Sequence, residues 1–321
     1  MAAQPESLDG LVIRAMTIED MAAVQEVGVA AWSDIASQEL GRKVKYPARP
    51  RKIVEAYLWK EPEGCLVAER KGRIIGAAYT HVWGEVGWFG PFEVLPEMQD
   101  KGVGTALLRE CERFLERRGC QVKGLETMSN HAKNIHFYMR EGYRTIGSSL
   151  IMEKELRSEV EKVLGPGPST CEEVVSSLGR ISILSRKGHP LVDYAREVEM
   201  AARHDLGAVL LLRGRSSLTG MAVLHSYFPP DVSDHASLRL MLVDPRAKGQ
   251  EGAFMRLLTG CESWAFQHGR RRVFVRFPAE SPVLYDAFLS SGYRLAAANM
   301  RLARGPSFSE RGKYHLAAWA G

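Results

Sequence analysis

The 321-residue sequence predicts an α+β protein built as two similar halves, each with a central sheet covered by helices. Three observations lead there. Apolar positions alternate with period two in some stretches and recur near every 3.6 residues in others, so strands and amphipathic helices are interleaved. Gly165-Pro166-Gly167-Pro168-Ser169 denies continuity to both helix and strand, which marks a joint. Landmarks also recur in the same order: Gly76 and Gly220, Pro96 and Pro245, Gly102 and Gly249, and Gly142 and Gly292 are separated by 144, 149, 147 and 150 residues. Their contexts match as well, with His81 and His225 each five residues beyond the first glycine and Gly142-Tyr143-Arg144 beside Gly292-Tyr293-Arg294. A duplicated fold follows, with expected units at residues 10–155 and 171–321 and a linker at 156–170.

The elements of the first half can be justified in order. Leu11 to Ala15 reads as a short strand, and Thr17, followed by Glu19 and Asp20, caps a helix expected to run to about Trp32. A second helix is expected near Arg51 to Trp59. Cys65–Glu69 and Arg73–Val82 flank Lys71-Gly72 as a hairpin, and Val86 to Leu95 forms a long strand. Val103, Ala106, Leu107, Cys111, Phe114 and Leu115 then share one helical face, closed by Gly119. Gln121–Met128, Ala132–Arg140 and Tyr143–Glu153 continue as strand, helix and strand. At the far end, the stretch from Lys313 to Trp319 alternates poorly but is apolar enough to add a last strand.

With 45% hydrophobic and 25% charged residues the chain has an ordinary globular composition, and a net charge of +5 is small for its size. The one dense basic cluster, Arg270-Arg271-Arg272 after His268-Gly269, reads as a solvated helix C-terminus, with phosphate binding as the alternative. Neither a nucleic-acid footprint nor a membrane-spanning apolar run is present in the sequence. The five cysteines form no CxxC pair and no metal-ligand spacing, so free thiols, no metal and a cytoplasmic setting are expected.

The chemistry is expected in Gln99-Asp100-Lys101-Gly102-Val103-Gly104-Thr105, between a strand and a helix. Glycines allow close backbone approach, and the unpaired N–H groups of the helix start favour a pyrophosphate. A Rossmann site needs a third glycine where Leu107 stands, and a Walker loop needs a GK-Ser/Thr ending that is missing. An ordinary strand-to-helix turn remains as the bland alternative.

Upstream lies Val94-Leu95-Pro96-Glu97, and downstream Asn134-Ile135-His136-Phe137-Tyr138-Met139-Arg140-Glu141-Gly142-Tyr143. With these flanks the sequence resembles the GNAT superfamily of acyl-CoA-dependent N-acyltransferases, over roughly Leu11 to Glu153 and, as a degenerate copy, over the second half. The resemblance implies an α/β/α layered fold with a mixed, mostly antiparallel sheet and a splayed strand pair in each half. It implies acetyl-CoA as cosubstrate, with Phe92 and Val94 along the acyl and pantetheine portion, and the amides from Gln99 to Thr105 on the diphosphate. Asn134 would meet the pantetheine and Tyr138 the sulfur.

Amide formation needs a neutral amine, a donor for the tetrahedral oxyanion and a proton for the departing thiolate. Tyr138 is the candidate acid, its competing role being a helix-packing tyrosine. Glu93 is the leading candidate base, with Glu85 and His81 as alternatives, any of them acting through water. Strand alternation sets Glu93 on the face opposite Phe92 and Val94.

In the second half Glu251 stands at the position of Gly104, Phe288 at that of Tyr138 and Leu284 at that of Asn134. A carboxylate there opposes a diphosphate and blocks backbone approach. The second half is therefore expected to be noncatalytic, completing the acceptor cleft or supplying a homodimer surface. The expected activity is acetyl transfer to a primary amine, on a small molecule or a peptide; a decayed acyl-CoA sensor is the alternative.

Overall fold

A computed structural model describes residues 9–157, 165–214, 217–226, 228 and 233–319. The first half runs β1 (Leu11–Ala15), α1 (Met21–Leu40), α2 (Arg51–Lys60), β2 (Cys65–Arg70), β3 (Arg73–Trp83) and β4 (Val86–Val94), followed by α3 (Val103–Arg117), β5 (Val122–Met128), α4 (Ala132–Arg140) and β6 (Arg144–Glu155). The second runs α5 (Cys171–Val175), α6 (Leu178–Gly188), α7 (Ala195–Arg203), β7 (Gly207–Arg213), β8 (Leu218–His225) and β9 (His235–Val243), then α8 (Gln250–Gln267), β10 (Arg272–Pro278), α9 (Pro282–Ser290), β11 (Arg294–Arg304) and β12 (His315–Ala317).

Local chemistry accounts for most boundaries. The β2–β3 hairpin turns on Lys71 (φ 52°) and Gly72 (φ 75°), the pair of positive angles that a two-residue turn matched to strand twist requires. Helix α1 continues past Trp32 to Leu40 and stops at Gly41, whose φ of 61° suits a residue without Cβ. No breaker lies between Trp32 and Leu40, so nothing in the chain ends the helix earlier. In α3, Val103, Leu107, Leu108, Cys111, Phe114 and Leu115 face the sheet.

The two expected sheets are one. Twelve strands among the described residues run in the order β1-β2-β3-β4-β5-β11-β6-β10-β9-β8-β7, with β12 added to β9. Strand β6 belongs by sequence to the first half, yet it lies between β11 and β10; β11 belongs to the second half and pairs with β5. Each half thus lends a late strand, β6 or β11, to the other. The exchange is fastened from one face: the buried Glu126 on β5 accepts from Ser149 on β6 (2.8 Å) and Asn299 on β11 (3.0 Å), and pairs with Arg276 on β10 (3.2 Å) and Arg301 on β11 (3.5 Å). Burial opposes the charge of Glu126, but Arg276 and Arg301 outweigh it and hold the carboxyl below its usual range.

A second contact joins the halves through helices. The fully buried Lys60 of α2 meets Glu197 of α7, which also accepts from Trp83 Nε1 at 3.0 Å. Arg196 lies 3.6 Å from the centroid of the Trp59 ring. Burial works against the charge of Glu197, and Lys60 more than compensates, keeping the carboxyl well below its ordinary value. Among the described residues no helix is long and apolar enough to cross a membrane.

Candidate active site

Strands β4 and β5 run parallel but pair only from Val86 to Trp88 against Val122 to Gly124. Beyond Trp88 they part, because β4 stays with β3 while β5 turns to β11. The separation opens a groove of about 280 Å³ whose floor is Phe92 and Val94 and whose walls come from α1, α3 and α4.

The loop from β4 to α3 closes one end. Asp100 (φ 60°) and Gly102 (φ 85°) both take the left-handed conformation, a turn that brings the chain abruptly into the helix. No side chain caps that helix start, and the first of its amides to find a carbonyl is Ala106, bonded to Gly102 at 3.0 Å. The amides of Val103, Gly104 and Thr105 therefore precede the first intrahelical bond, which together with the dipole makes an anion site. A Cβ added at Gly104 would meet the Phe137 ring at 3.4 Å, an ordinary contact, so the fold itself tolerates a side chain there and the glycine serves to leave the helix-start backbone open. Lys133 of α4 holds the loop in place, donating to Gln99 Oε1 (3.0 Å) and Asp100 Oδ2 (2.8 Å), while Gln99 Nε2 donates to Val94 O (3.3 Å).

Of the expected cosubstrate residues, Phe92, Val94, Gln99, Asp100, Gly102, Gly104, Thr105 and Asn134 line the groove. Val103 and Lys101 do not; the Val103 side chain is buried beneath the loop with Val27, Val94 and Leu95, so only its main chain is at the site. Tyr138 lines the groove and is 8% exposed, packed by Phe89, Phe92, Phe137 and Tyr143. Burial raises its phenol well above the usual value, so the hydroxyl keeps its proton.

The base candidates fare differently. Glu93 is 2% exposed and faces away from the groove: its Oε1 accepts from Trp32 Nε1 (2.7 Å) and Arg49 Nη2 (2.8 Å), and its carboxylate is packed against Gly28 of α1. Such a carboxylate, fully engaged and shielded, anchors α1 and the segment before α2 to β4 and lies away from the groove, which corrects its expected role as the base. His81 is stacked on Trp88 at 3.9 Å, and burial, with Lys60 adding to it, pushes the imidazole down to about 3. Glu85 is exposed at the β3–β4 turn, at the opposite end of β4 from Val94, where Gln121 donates to it.

Sequence reasoning passes over Lys133, His136 and Arg140, which line the groove with Tyr138. Their spacing is a usable signal, because i, i+3 and i+7 share one face of a helix and these three form a basic stripe on α4.

The corresponding place in the second half is filled. Beyond Leu238, β9 likewise loses its pairing with β10, but β12 takes that edge, His315 opposite Leu242 and Ala317 opposite Leu240. Tyr314 stacks on Phe254 at 4.7 Å, and Leu284 and Phe288 are fully buried in the same cluster. The last strand expected from Lys313 onward is thus the element that closes the second groove.

Residues 30–143 match the acetyltransferase (GNAT) family model. A mycothiol acetyltransferase of Streptomyces avermitilis is 31% identical over 157 residues, covering 48% of this chain and 49% of the relative; the match spans about half of that protein's length. A Pyrococcus horikoshii protein described as an acetyltransferase superposes over 99% of both chains with a TM-score of 0.70 at 17% identity. A tandem GNAT protein from the clavulanic acid biosynthesis pathway superposes over 93% of this chain and 100% of its own, with a TM-score of 0.58 at 13% identity. The first half thus matches the GNAT acetyltransferase family model over residues 30–143, and the chain as a whole shares the fold of a tandem GNAT protein.

Proposed function

We propose that the protein is an acetyl-CoA-dependent N-acetyltransferase with one working site, in the first half, that acylates a primary amine. The observation that carries this reading is the coincidence, in one groove, of a splayed β4 edge, three helix-start amides and a buried, protonated Tyr138. The amides and the basic stripe suit the diphosphate of the cosubstrate, and the apolar floor suits pantetheine. The only carboxylate lining the groove among the described residues, Asp100, points its charge to Lys133.

The amine nitrogen attacks the thioester carbonyl, an N–C bond forms, and collapse of the tetrahedral adduct breaks the C–S bond. The unpaired main chain of β4 offers fixed donors to the oxyanion. Tyr138 donates at the departing sulfur, and the proton lost by the amine returns through water, so that amide and free thiol leave. Glu93 is a positioning residue in this account. The name of the Streptomyces relative supports acetyl transfer as the reaction. Incubating the full-length protein with acetyl-CoA and a panel of primary amines, while following free thiol and the acylated product, tests the reading. Amine-dependent release of both is expected; absence of turnover with every amine overturns it.

A further inference from the structure

The run Arg270-Arg271-Arg272 does not form one solvated face. Arg272 pairs with Asp234 (2.8 Å) and Arg271 lies over the Phe266 ring, but Arg270 is 6% exposed. Its Nη1 donates to Ser233 O (2.7 Å), its Nε has no partner, and no carboxylate pairs with it among the described residues. The carbonyls of Trp264, Ala265 and Phe266 near the end of α8 are taken up by the amides of residues 268–270. A buried cation without a counter-charge is costly enough that proteins normally pair it. Burial also pulls the guanidinium below its ordinary value, against the more distant Asp234 that Arg272 already engages.

The repeat shows that this arginine is a departure. One repeat earlier, at the same step after a left-handed glycine, stands Cys120, and Arg118 at the position of His268 is paired with Glu61. The first half thus has a thiol and a closed ion pair where the second has a cleft of about 560 Å³. Arg270 lines it together with Ser226, whose buried Oγ is likewise unpartnered. The Trp264 ring, stacked on His268 at 4.0 Å, forms a flat wall, and Lys52, whose Nζ donates to Asp205 O (2.9 Å), stands among the lining residues. The exposed Asp205 side chain is the only carboxylate in the lining among the described residues.

We propose that this cleft, which shares no lining residue with the groove of the first half, binds a small anion whose oxyanion pairs with Arg270 and Ser226 and whose flat portion lies on Trp264. Thermal-shift and calorimetric titrations of the full-length protein with benzoate and with inorganic phosphate test it. Both are run in a Gly104→Glu background, so that the amides at the start of α3 do not contribute. Benzoate or phosphate is expected to raise Tm saturably; a response to phosphate alone assigns the cleft to phosphorylated ligands, a response to benzoate to carboxylates. Arg270→Met is expected to weaken binding at least tenfold and, without anion, to be no less stable than its parent, because it removes a buried unpaired charge. Ser226→Ala, which leaves the core intact, is expected to weaken binding severalfold. No response to either anion, or the same affinity in Arg270→Met and Ser226→Ala as in the parent, overturns the proposal.

Discussion

Replacing Tyr138 by Phe separates the two roles that a buried tyrosine can play. The ring is held by Phe89, Phe92, Phe137 and Tyr143, and Phe keeps every one of those contacts. No described residue hydrogen-bonds the hydroxyl, so removing it strands no partner, and stability should change by no more than about 0.5 kcal/mol. A positioned proton donor is worth roughly 10²- to 10⁴-fold in rate, or about 3 to 5 kcal/mol of barrier. The variant should therefore lose that much in kcat while its Tm and its affinity for CoA stay near those of the parent. Stopped-flow or steady-state detection of free thiol gives kcat, and calorimetry gives the CoA affinity. Turnover within about twofold of the parent would remove Tyr138 as the donor and leave it a packing residue.

Other consequences follow from the buried charges and from the sheet. His81 and His225 are each pushed down to about 3 by burial, whereas an unfolded histidine titrates near 6.5. Both are neutral in the fold; their contribution is complete above about pH 6.5 and is lost as pH falls toward 3, by about 1.4 kcal/mol per unit for each. Urea unfolding at pH 7.5 and pH 5 should differ by roughly 2 kcal/mol per histidine, and His81→Gln should remove its share of the difference. Glu126→Gln leaves Arg276 and Arg301 facing a neutral amide inside the strand exchange, and a loss of about 3 to 5 kcal/mol is expected by urea titration. A loss under about 1 kcal/mol would mean that the network does not fasten the strands. Residues 1–157 expressed alone lack β11 and β10, leaving β5 and β6 with bare edges. Hydrogen exchange should show β6 unprotected unless the second half is supplied.

The alternation of periods suffices for the order of elements in the first half, because local propensity and amphipathicity decide them, while the glycine landmarks reveal the repeat without the helices α5–α7 that open the second half. They cannot reveal the exchange of β6 and β11: a strand's pattern states which of its faces is buried, not which strand lies beside it. The loop is legible for a similar local reason, since Gly102 takes a left-handed φ that favours glycine and the bare Gly104 beside it leaves the helix-start backbone open. Glu93 is misread from sequence because its position on β4 is visible there while its partners are not. Arg49 and Trp32 come from segments 44 and 61 residues away and meet it only when α1 packs on the sheet. Arg270 is misjudged along the same line, as a charge assigned to solvent by composition that the fold takes inside.

The most direct measurement is a calorimetric titration of CoA into the full-length protein beside its Gly104→Glu variant, which copies the residue the second half carries as Glu251. At about 5 Å and an effective dielectric near 20, one added carboxylate opposes each diphosphate charge by about 3 kcal/mol. The parent should bind CoA, and the variant should bind at least a hundredfold more weakly with unchanged circular dichroism. Equal affinity in the two proteins, or no binding by the parent, would contradict the assignment of the helix-start amides to the diphosphate.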